Sequence, residues 1–186
     1  MNRKTWLLML AVCTIAAQPA MAQSNLGFKR GGIAVSMVSP ENIDATLGVG
    51  VFADMGTIAP RWGLESRLDW WSHSESFFNV DASVTDVTLG GRTKYQFPTS
   101  NPNVQPFMGA GLGIHFLSME VGAIDPFSGL AFSTSASETR LGLDVGGGVT
   151  TAMNPSMNFH AEAWYGLVSD FNQFSLRVGL SRAFGQ

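Results

Sequence analysis

The sequence predicts an all-β fold, in which eight antiparallel strands close up-and-down into a transmembrane β-barrel behind a cleavable signal peptide. Three observations predict it. Apolar and polar residues alternate with period two in runs that recur about every 20 residues. Turn residues separate these runs, and glycines share one face of the runs with charged residues. Eight strands joined in sequence by turns can close on themselves, which removes the exposed sheet edges.

The N-terminus has the pattern of an export signal. Asn2-Arg3-Lys4 gives a basic start, residues 5–17 form an apolar run, and Ala20-Met21-Ala22 gives a small-residue cleavage site. The apolar run is shorter than the roughly 20 residues that a membrane-spanning helix needs. We therefore expect a signal peptide over residues 1–22 and an outer-membrane β-barrel domain over residues 23–186, exported through the periplasm.

Cysteine content and charge exclude several function classes. Cys13 is the only cysteine, so a chain without its signal has no disulfide framework and no cysteine-based metal or catalytic site. A lipoprotein signal ending at Cys13 is the alternative, although Val12 stands where that signal has a small residue. Without the signal, 11 − 2 = 9 Lys and Arg face 14 Asp and Glu, a net charge of 9 − 14 = −5. This charge does not predict binding to nucleic acid.

The first four runs each have one apolar face, because successive side chains of a strand point to opposite sides of the sheet. The third run, residues 61–71, shows the pattern most clearly, with tryptophan and leucine on one face and five charged or glycine positions on the other. The apolar faces are marked by Ile33 and Met37 in 28–38, Val49 and Val51 in 44–55, Trp62 and Trp70 in 61–71, and Leu89 and Tyr95 in 83–97.

The last four runs continue the same alternation. Their polar faces are rich in glycine, and their apolar faces end in aromatic residues. The apolar faces are marked by Leu112 and Phe116 in 104–121, Leu143 and Val145 in 136–151, Phe159 and Tyr165 in 157–168, and Leu176 and Phe184 in 174–184.

The connections between runs differ in length. Compact turns with proline follow the second, fourth and sixth runs, at 57–60, 98–103 and 154–155. Longer connections follow the third and fifth runs, at 72–82 and 122–135. Short turns at one end and long loops at the other are typical of outer-membrane barrels.

The charged face is predicted to enclose the lumen, and the apolar face to meet lipid. An eight-stranded barrel has an interior just wide enough for side chains, so large charged residues fit there only opposite small ones, and glycines occupy the charged face. Because enclosed charges must be paired, a nearly balanced set is expected. The predicted lumen charge network is Glu65, Arg67, Asp69, Asp86, Arg92, Lys94, Glu138, Arg140, Asp144, Glu162 and Arg177.

Two segments resemble a known family. "PFMGAGLGIHF" (106–116) and "TRLGLDVGGGVTTAMNPSMNFHAEAWYGL" (139–167) are similar to the fifth to seventh strands of small outer-membrane β-barrel proteins of the OmpA/OmpX type. The alternation from Phe174 to Phe184 resembles the family's C-terminal assembly signal. The resemblance implies the outer membrane of a Gram-negative-type bacterium, contact with membrane lipid, and recognition of the last strand by the barrel-assembly machinery.

No catalytic, cofactor or metal site is expected. Some eight-stranded barrels edit lipid A with His, Ser and an acid, which makes the three histidines worth testing. His73 shares a face with Glu75, but the neighbouring serines take the opposite face, and His115 and Ser118 also have opposite parity. His160 points inward and is expected to join the lumen network. Three separated histidines form no metal-ligand motif.

The function predicted is a non-enzymatic one, structural or in surface interaction. A small porin is the alternative, although open channels need about 16–18 strands, and a lipid-modifying enzyme is less favoured. The connection 119–137 is either a mobile surface loop or a hairpin rising above the membrane. In the second case it would present Ile124, Phe127, Leu130 and Phe132 to an extracellular protein or another surface ligand.

Overall fold

Eight antiparallel strands form a closed ring in the computed structural model, which describes residues 25–78, 80–124, 131–169 and 171–184. Each strand pairs with the next, and β8 pairs with β1. The fold class is therefore confirmed, while the predicted signal peptide lies outside the described residues. The strands are β1 (Asn25–Pro40), β2 (Thr46–Ala59), β3 (Trp62–Phe77), β4 (Val80–Gln96), β5 (Val104–Ile124), β6 (Ala131–Asn154), β7 (Met157–Val168) and β8 (Gln173–Ala183).

The outer surface of the ring is apolar. Leu112 and Ile33, on β5 and β1, expose 69% and 67% of their surface outward, whereas the charged side chains of the opposite parity are buried inside. Lipid makes such a surface stable, because it replaces the water that would otherwise contact these side chains. None of the described residues forms a helix that is both long and apolar enough to cross a membrane.

Aromatic pairs mark one rim of the apolar surface. Phe28 stacks on Phe184 with ring centroids 4.7 Å apart, and Trp62 packs against Tyr95 at 5.2 Å. The first pair joins the start of β1 to the end of β8, and the second joins the start of β3 to the end of β4, so both lie on the same rim. This rim is the periplasmic side if the chain enters from the periplasm. Aromatic belts of this kind are typical of the membrane–water interface.

The strands differ greatly in length. β5 and β6 have 21 and 24 residues, against 12 and 11 for β7 and β8. The hairpins pair to their tips, with Phe77 opposite Val80 and Ile124 opposite Ala131. Much of what the sequence predicted as long connections, 72–82 and 122–135, is therefore strand.

The upper parts of β3 to β6 form a sheet that rises beyond the ring, and we call it the extension. It comprises residues 72–77, 80–85, 117–124 and 131–141. It begins where β3 and β6 lose their outer neighbours, since the last pairs are Gly48 with Trp71 and Gly142 with Val168. The extension lies at the end of the ring opposite the aromatic pairs, which is the extracellular side if the chain enters from the periplasm.

Candidate functional site

A network of four cations and four anions fills the middle of the lumen. Its formal charge is 4 − 4 = 0, and every member but Asp69 is buried. Enclosing charges is costly unless they are paired, and here each charge lies within ion-pair distance of at least one opposite charge. The members are Arg67, Arg92, Lys94 and Arg177 with Glu65, Asp69, Asp144 and Glu162.

Glu162 on β7 is the centre of the lower half of this network. Lys94 Nζ lies 2.7 Å from Glu162 Oε1 and 2.5 Å from Glu65 Oε2, so it joins two strands on opposite walls. Trp164 Nε1 donates to Glu162 Oε2 at 2.8 Å. Arg177 Nη1 lies 3.5 Å from the same oxygen. Removing this one carboxylate would leave Trp164 Nε1 without its acceptor and would leave Lys94 Nζ and Arg177 Nη1 with Glu65 alone.

Asp144 on β6 connects the upper half. Arg67 Nη2 donates to Asp144 Oδ2 at 2.5 Å, and Arg67 Nη1 donates to Asp69. Arg92 Nε lies 3.5 Å from the same Asp144 oxygen, and the Arg92 guanidinium lies 3.9 Å from the ring centroid of Trp164. The two halves therefore share Arg92, which reaches both carboxylates.

Lumen glycines make room for these large side chains. A Cβ at Gly111 would lie 2.6 Å from Arg92 Cγ, and a Cβ at Gly146 would lie 2.7 Å from the Trp164 ring. A Cβ at Gly142 would lie 2.7 Å from His115 Nε2. A bulkier residue at these positions would displace the network or the wall.

We expect Gly111→Leu to destabilise the barrel by about 1–3 kcal/mol or more, because overpacking forces both side chains and backbone to move. The matched control is Gly122→Leu on the same strand, where the nearest atom to a Cβ is 4.0 Å away. The stability of both variants is measured by urea unfolding in lipid vesicles. The folded fraction is read from the heat-dependent mobility of the barrel on gels. Equal stability of the two variants would contradict the enclosed-glycine interpretation.

Asp86 lies apart from the eight network residues. It faces His115, whose Nδ1 is 2.8 Å from Asp86 Oδ2 and 2.9 Å from Thr88 Oγ1. Both Asp86 and His115 are fully enclosed. His115 was not predicted as a network residue, although the parity that it shares with Gly111 and Gly113 on the glycine-rich face was the available signal.

Apolar residues close the lumen above this pair. We call Val38, Trp71, Leu117, Val168 and Phe171 the apolar plug; all five are buried. Phe171, in the β7–β8 connection, stacks on Trp71 with ring centroids 5.8 Å apart and 9° between planes. The plug was not predicted, because Phe171 lies outside the alternating runs.

Glu138 and Arg140 also lie apart from the network. Arg140 Nη2 is 2.5 Å from Glu138 Oε2, and Arg140 Nη1 donates to the Ser169 carbonyl at 2.6 Å. The Glu138 side chain is 56% exposed. The alternation of the sequence predicted that both side chains point into the lumen. Both residues lie, however, on the part of β6 that extends beyond the ring.

The remaining histidines do not build a catalytic cluster. Both ring nitrogens of His160 form hydrogen bonds with hydroxyl groups. Nε2 lies 2.8 Å from Ser181 Oγ, and Nδ1 lies 3.1 Å from Thr150 Oγ1. No carboxylate is among its hydrogen-bond partners in the described residues. His73 pairs with Glu75 at 3.0 Å on the exposed part of β3. Within the described ranges, no group of three His, Cys, Asp or Glu side chains could hold a metal ion.

In the extension the outer face of the sheet is polar and the face above the lumen has apolar residues, which is the opposite of the ring below. On the side facing away from the barrel axis β6 now has Ser133, Ser135 and Ser137, whereas the side above the lumen has Phe132 and, on β5, Val121. Phe132 is 61% exposed, and residues 131–139 are exposed on both faces.

The predicted interaction loop is only partly visible. Phe132 lies in β6, and Ile124 ends β5, although its side chain is not described. Phe127 and Leu130 lie outside the described residues. The strand pairing up to Ile124 and Ala131 makes this connection a hairpin rather than an open loop.

The family model described as "Outer membrane protein beta-barrel domain" matches residues 6–184. No curated protein matches the chain in sequence.

Several solved structures share the fold. Ail, the attachment invasion locus protein of Yersinia pestis, is 15% identical over 84% of this chain and 97% of its own, with a TM-score of 0.57. Neisserial surface protein A is 18% identical over 84% and 96%, with a TM-score of 0.59. Ail in complex with the heparin analogue sucrose octasulfate is 15% identical over 85% and 100%, with a TM-score of 0.50. At these identities the likeness shows the fold alone.

Proposed function

The chain belongs to the outer membrane protein beta-barrel domain family, and from this premise we propose that it works without catalysis, as a surface for binding other molecules outside the cell. Its place is the outer membrane of a Gram-negative bacterium, where lipid surrounds the barrel. We also propose that residues 1–22 are its signal peptide, residues 23–186 its barrel domain, and β8 the strand through which the barrel-assembly machinery recognises it.

The free edge of β6 is the observation that supports the surface role. Residues 131–141 pair with β5 on one side, and pairing with β7 starts only at Gly142. Among the described residues this edge therefore has no strand partner. Unpaired backbone N–H and C=O groups are a template for an added strand. Residues 131–137, Ala-Phe-Ser-Thr-Ser-Ala-Ser, include no charge and no proline, the usual devices that block an edge.

The side chains beside this edge favour an extended protein segment as the partner. A strand added to β6 would place alternate side chains beside Phe132, on the face of the sheet that also has Val121 and Met119 of β5; all three are exposed apolar residues above the lumen. The other side chains would face water beside the serines. A segment with period-two alternation would satisfy both sides, and backbone hydrogen bonds would supply much of the affinity.

The charge of the extension argues against a sulfated ligand. Ail has been solved with sucrose octasulfate, but the extension here has Glu75, Asp81 and Glu120 in addition to the Glu138–Arg140 pair. Like charges at an interface lower the rate and strength of association. We therefore propose a neutral or basic protein partner.

Shortening the hairpin tests the surface role. We expect that replacing residues 121–134 by Asn-Gly, which joins the facing pair Glu120 and Ser135 through a two-residue turn, leaves the barrel folded. The extension makes no contribution to ring closure, so heat-dependent gel mobility should be unchanged. Adhesion of cells displaying this variant to epithelial layers and extracellular matrix should fall to the level of cells without the protein.

A neighbouring pair of substitutions gives the matched control. Phe132→Ser removes an apolar side chain above the lumen and should weaken adhesion, whereas Ser133→Ala, one residue along on the other face, should not. If the shortened protein and both variants adhere like the wild type, the protein has no binding role in the extension and only a structural function remains.

The filled lumen argues against the porin alternative. The apolar plug and the neutral network occupy the cross-section, and eight strands leave no wide channel. We expect the refolded protein to give no stable conductance of porin size in planar bilayers. Steady openings that scale with salt concentration would contradict the filled lumen, and a sixteen-stranded porin measured in the same bilayers is the positive control.

A further inference from the structure

A small polar cavity lies between the network and the apolar plug. Its volume is about 30 Å³, and it is lined by Arg67, Arg92, Arg177, Asp69, Asp144 and Trp71 together with smaller polar residues and with Val38, Trp70 and Gly166. About 10–15 Å³ of such a volume is enough for one water molecule. The cavity therefore has room for one chloride or bromide ion, or for one or two water molecules.

Hydrogen-bond donors dominate the wall of this cavity. Four lining side chains have buried nitrogens with no hydrogen-bond partner among the described residues: Trp71 Nε1, Arg67 Nε, Arg177 Nη2, and both Nε and Nη1 of Arg92. Only 3–5% of the surface of these side chains is exposed. Gln173 Oε1 is the one fully buried acceptor without a hydrogen-bond partner among the lining side chains described. Buried donors are rarely left without an acceptor.

Three arginines and two aspartates line the cavity. Arg177 also lies within ion-pair distance of Glu65 and Glu162, which do not line it, so the network as a whole stays neutral. The Oδ2 atom of each aspartate already accepts a hydrogen bond from Arg67. The cavity therefore faces three guanidinium groups inside a neutral network.

We propose that this cavity is a binding site for a single halide ion, chloride in the natural setting. A halide accepts hydrogen bonds from several directions and donates none, which matches a wall of arginine and indole N–H groups. Water would need acceptors for its two protons, and Gln173 Oε1 is the one fully buried lining acceptor without a partner among the described residues. Trp71 forms part of the apolar plug, so the bound ion is enclosed from the extracellular side.

Bromide is the probe for the experiment. The barrel is refolded and crystallised in detergent with sodium bromide as the only halide salt, and anomalous scattering is measured at the bromine edge. An anomalous peak in the cavity, at hydrogen-bonding distance from Trp71 Nε1 and an arginine nitrogen, is the expected result. A cavity without an anomalous peak, filled by density that refines as water, would overturn the proposal.

A solution titration gives an independent test and uses a matched pair of variants. In the wild type, sodium chloride or bromide should raise the thermal unfolding midpoint above that in sodium gluconate of equal ionic strength. Trp71→Phe keeps the ring but loses one donor, so roughly tenfold more bromide should be needed for the same rise. Trp62→Phe, on the lipid face, should behave like the wild type. Equal midpoints in halide and gluconate, or an unchanged bromide dependence in Trp71→Phe, would overturn the site.

Discussion

Glu162→Gln is expected to lower the free energy of unfolding by about 3–5 kcal/mol, because it removes one partner from a buried ion network. The amide keeps the volume of the carboxylate, so the loss comes from charge rather than from a cavity. Lys94 Nζ, 2.7 Å away, and Arg177 Nη1, 3.5 Å away, would then face a neutral group inside the lumen. Urea unfolding in phosphatidylcholine vesicles, followed by tryptophan fluorescence, measures the effect.

Glu138→Gln is the matched control for this prediction. Glu138 has the same charge and also pairs with an arginine, but its side chain is 56% exposed at the base of the extension. Exposed ion pairs contribute about 0–1 kcal/mol, so this variant should remain close to the wild type. If both variants lose the same stability, the lumen network does not stabilise the barrel as its burial implies.

Leu112→Arg is expected to cost about 2–4 kcal/mol in a bilayer, because it places a charge on the lipid face near the middle of the membrane. Leu112 is 69% exposed outward and lies midway along β5 between Met108 and Phe116, which face the same way. Folding efficiency into vesicles and the urea midpoint both report the loss. The same arginine should be harmless where the strand has left the lipid.

Ser118→Arg provides that comparison within the same strand. Ser118 faces outward six positions beyond Leu112, at the start of the extension, between Thr85 and Ser137. Surface substitutions of this kind usually change stability by no more than about 0.5 kcal/mol. A tolerated Leu112→Arg together with a costly Ser118→Arg would mean that the apolar band lies at a different height along the barrel.

The sequence was sufficient to predict the ring of strands, because period two assigns a face to each residue without knowledge of the neighbours. The sequence could not assign the position of each residue along the barrel axis, because that position depends on the stagger between adjacent strands in the closed barrel. Arg140 and Arg177 have the same parity signal, yet Arg177 is in the network and Arg140 bonds to the Ser169 carbonyl above it.

Two other features escaped sequence reasoning for physical reasons. The extension has serines where the lower wall has leucines and valines, so the hydrophobic signal of a strand fades although the pairing continues to Ile124 and Ala131. The apolar plug depends on Phe171, which enters the lumen from a connection rather than from a strand. Its position follows from the backbone bond between Phe171 N and the Val168 carbonyl and from the stacking on Trp71, neither of which is a periodic feature.

Because the lumen is crowded and the extension is open, amino-acid changes between related strains should collect in the extension and not in the lumen. A single methyl group at Gly111 meets both a side chain and the backbone of the next strand, whereas residues 131–139 are exposed on both faces. Antibodies and bacteriophages that recognise the cell surface would therefore select changes in the hairpin, one residue at a time, at little cost to folding. Strains are expected to share one barrel and to differ serologically in the hairpin above it.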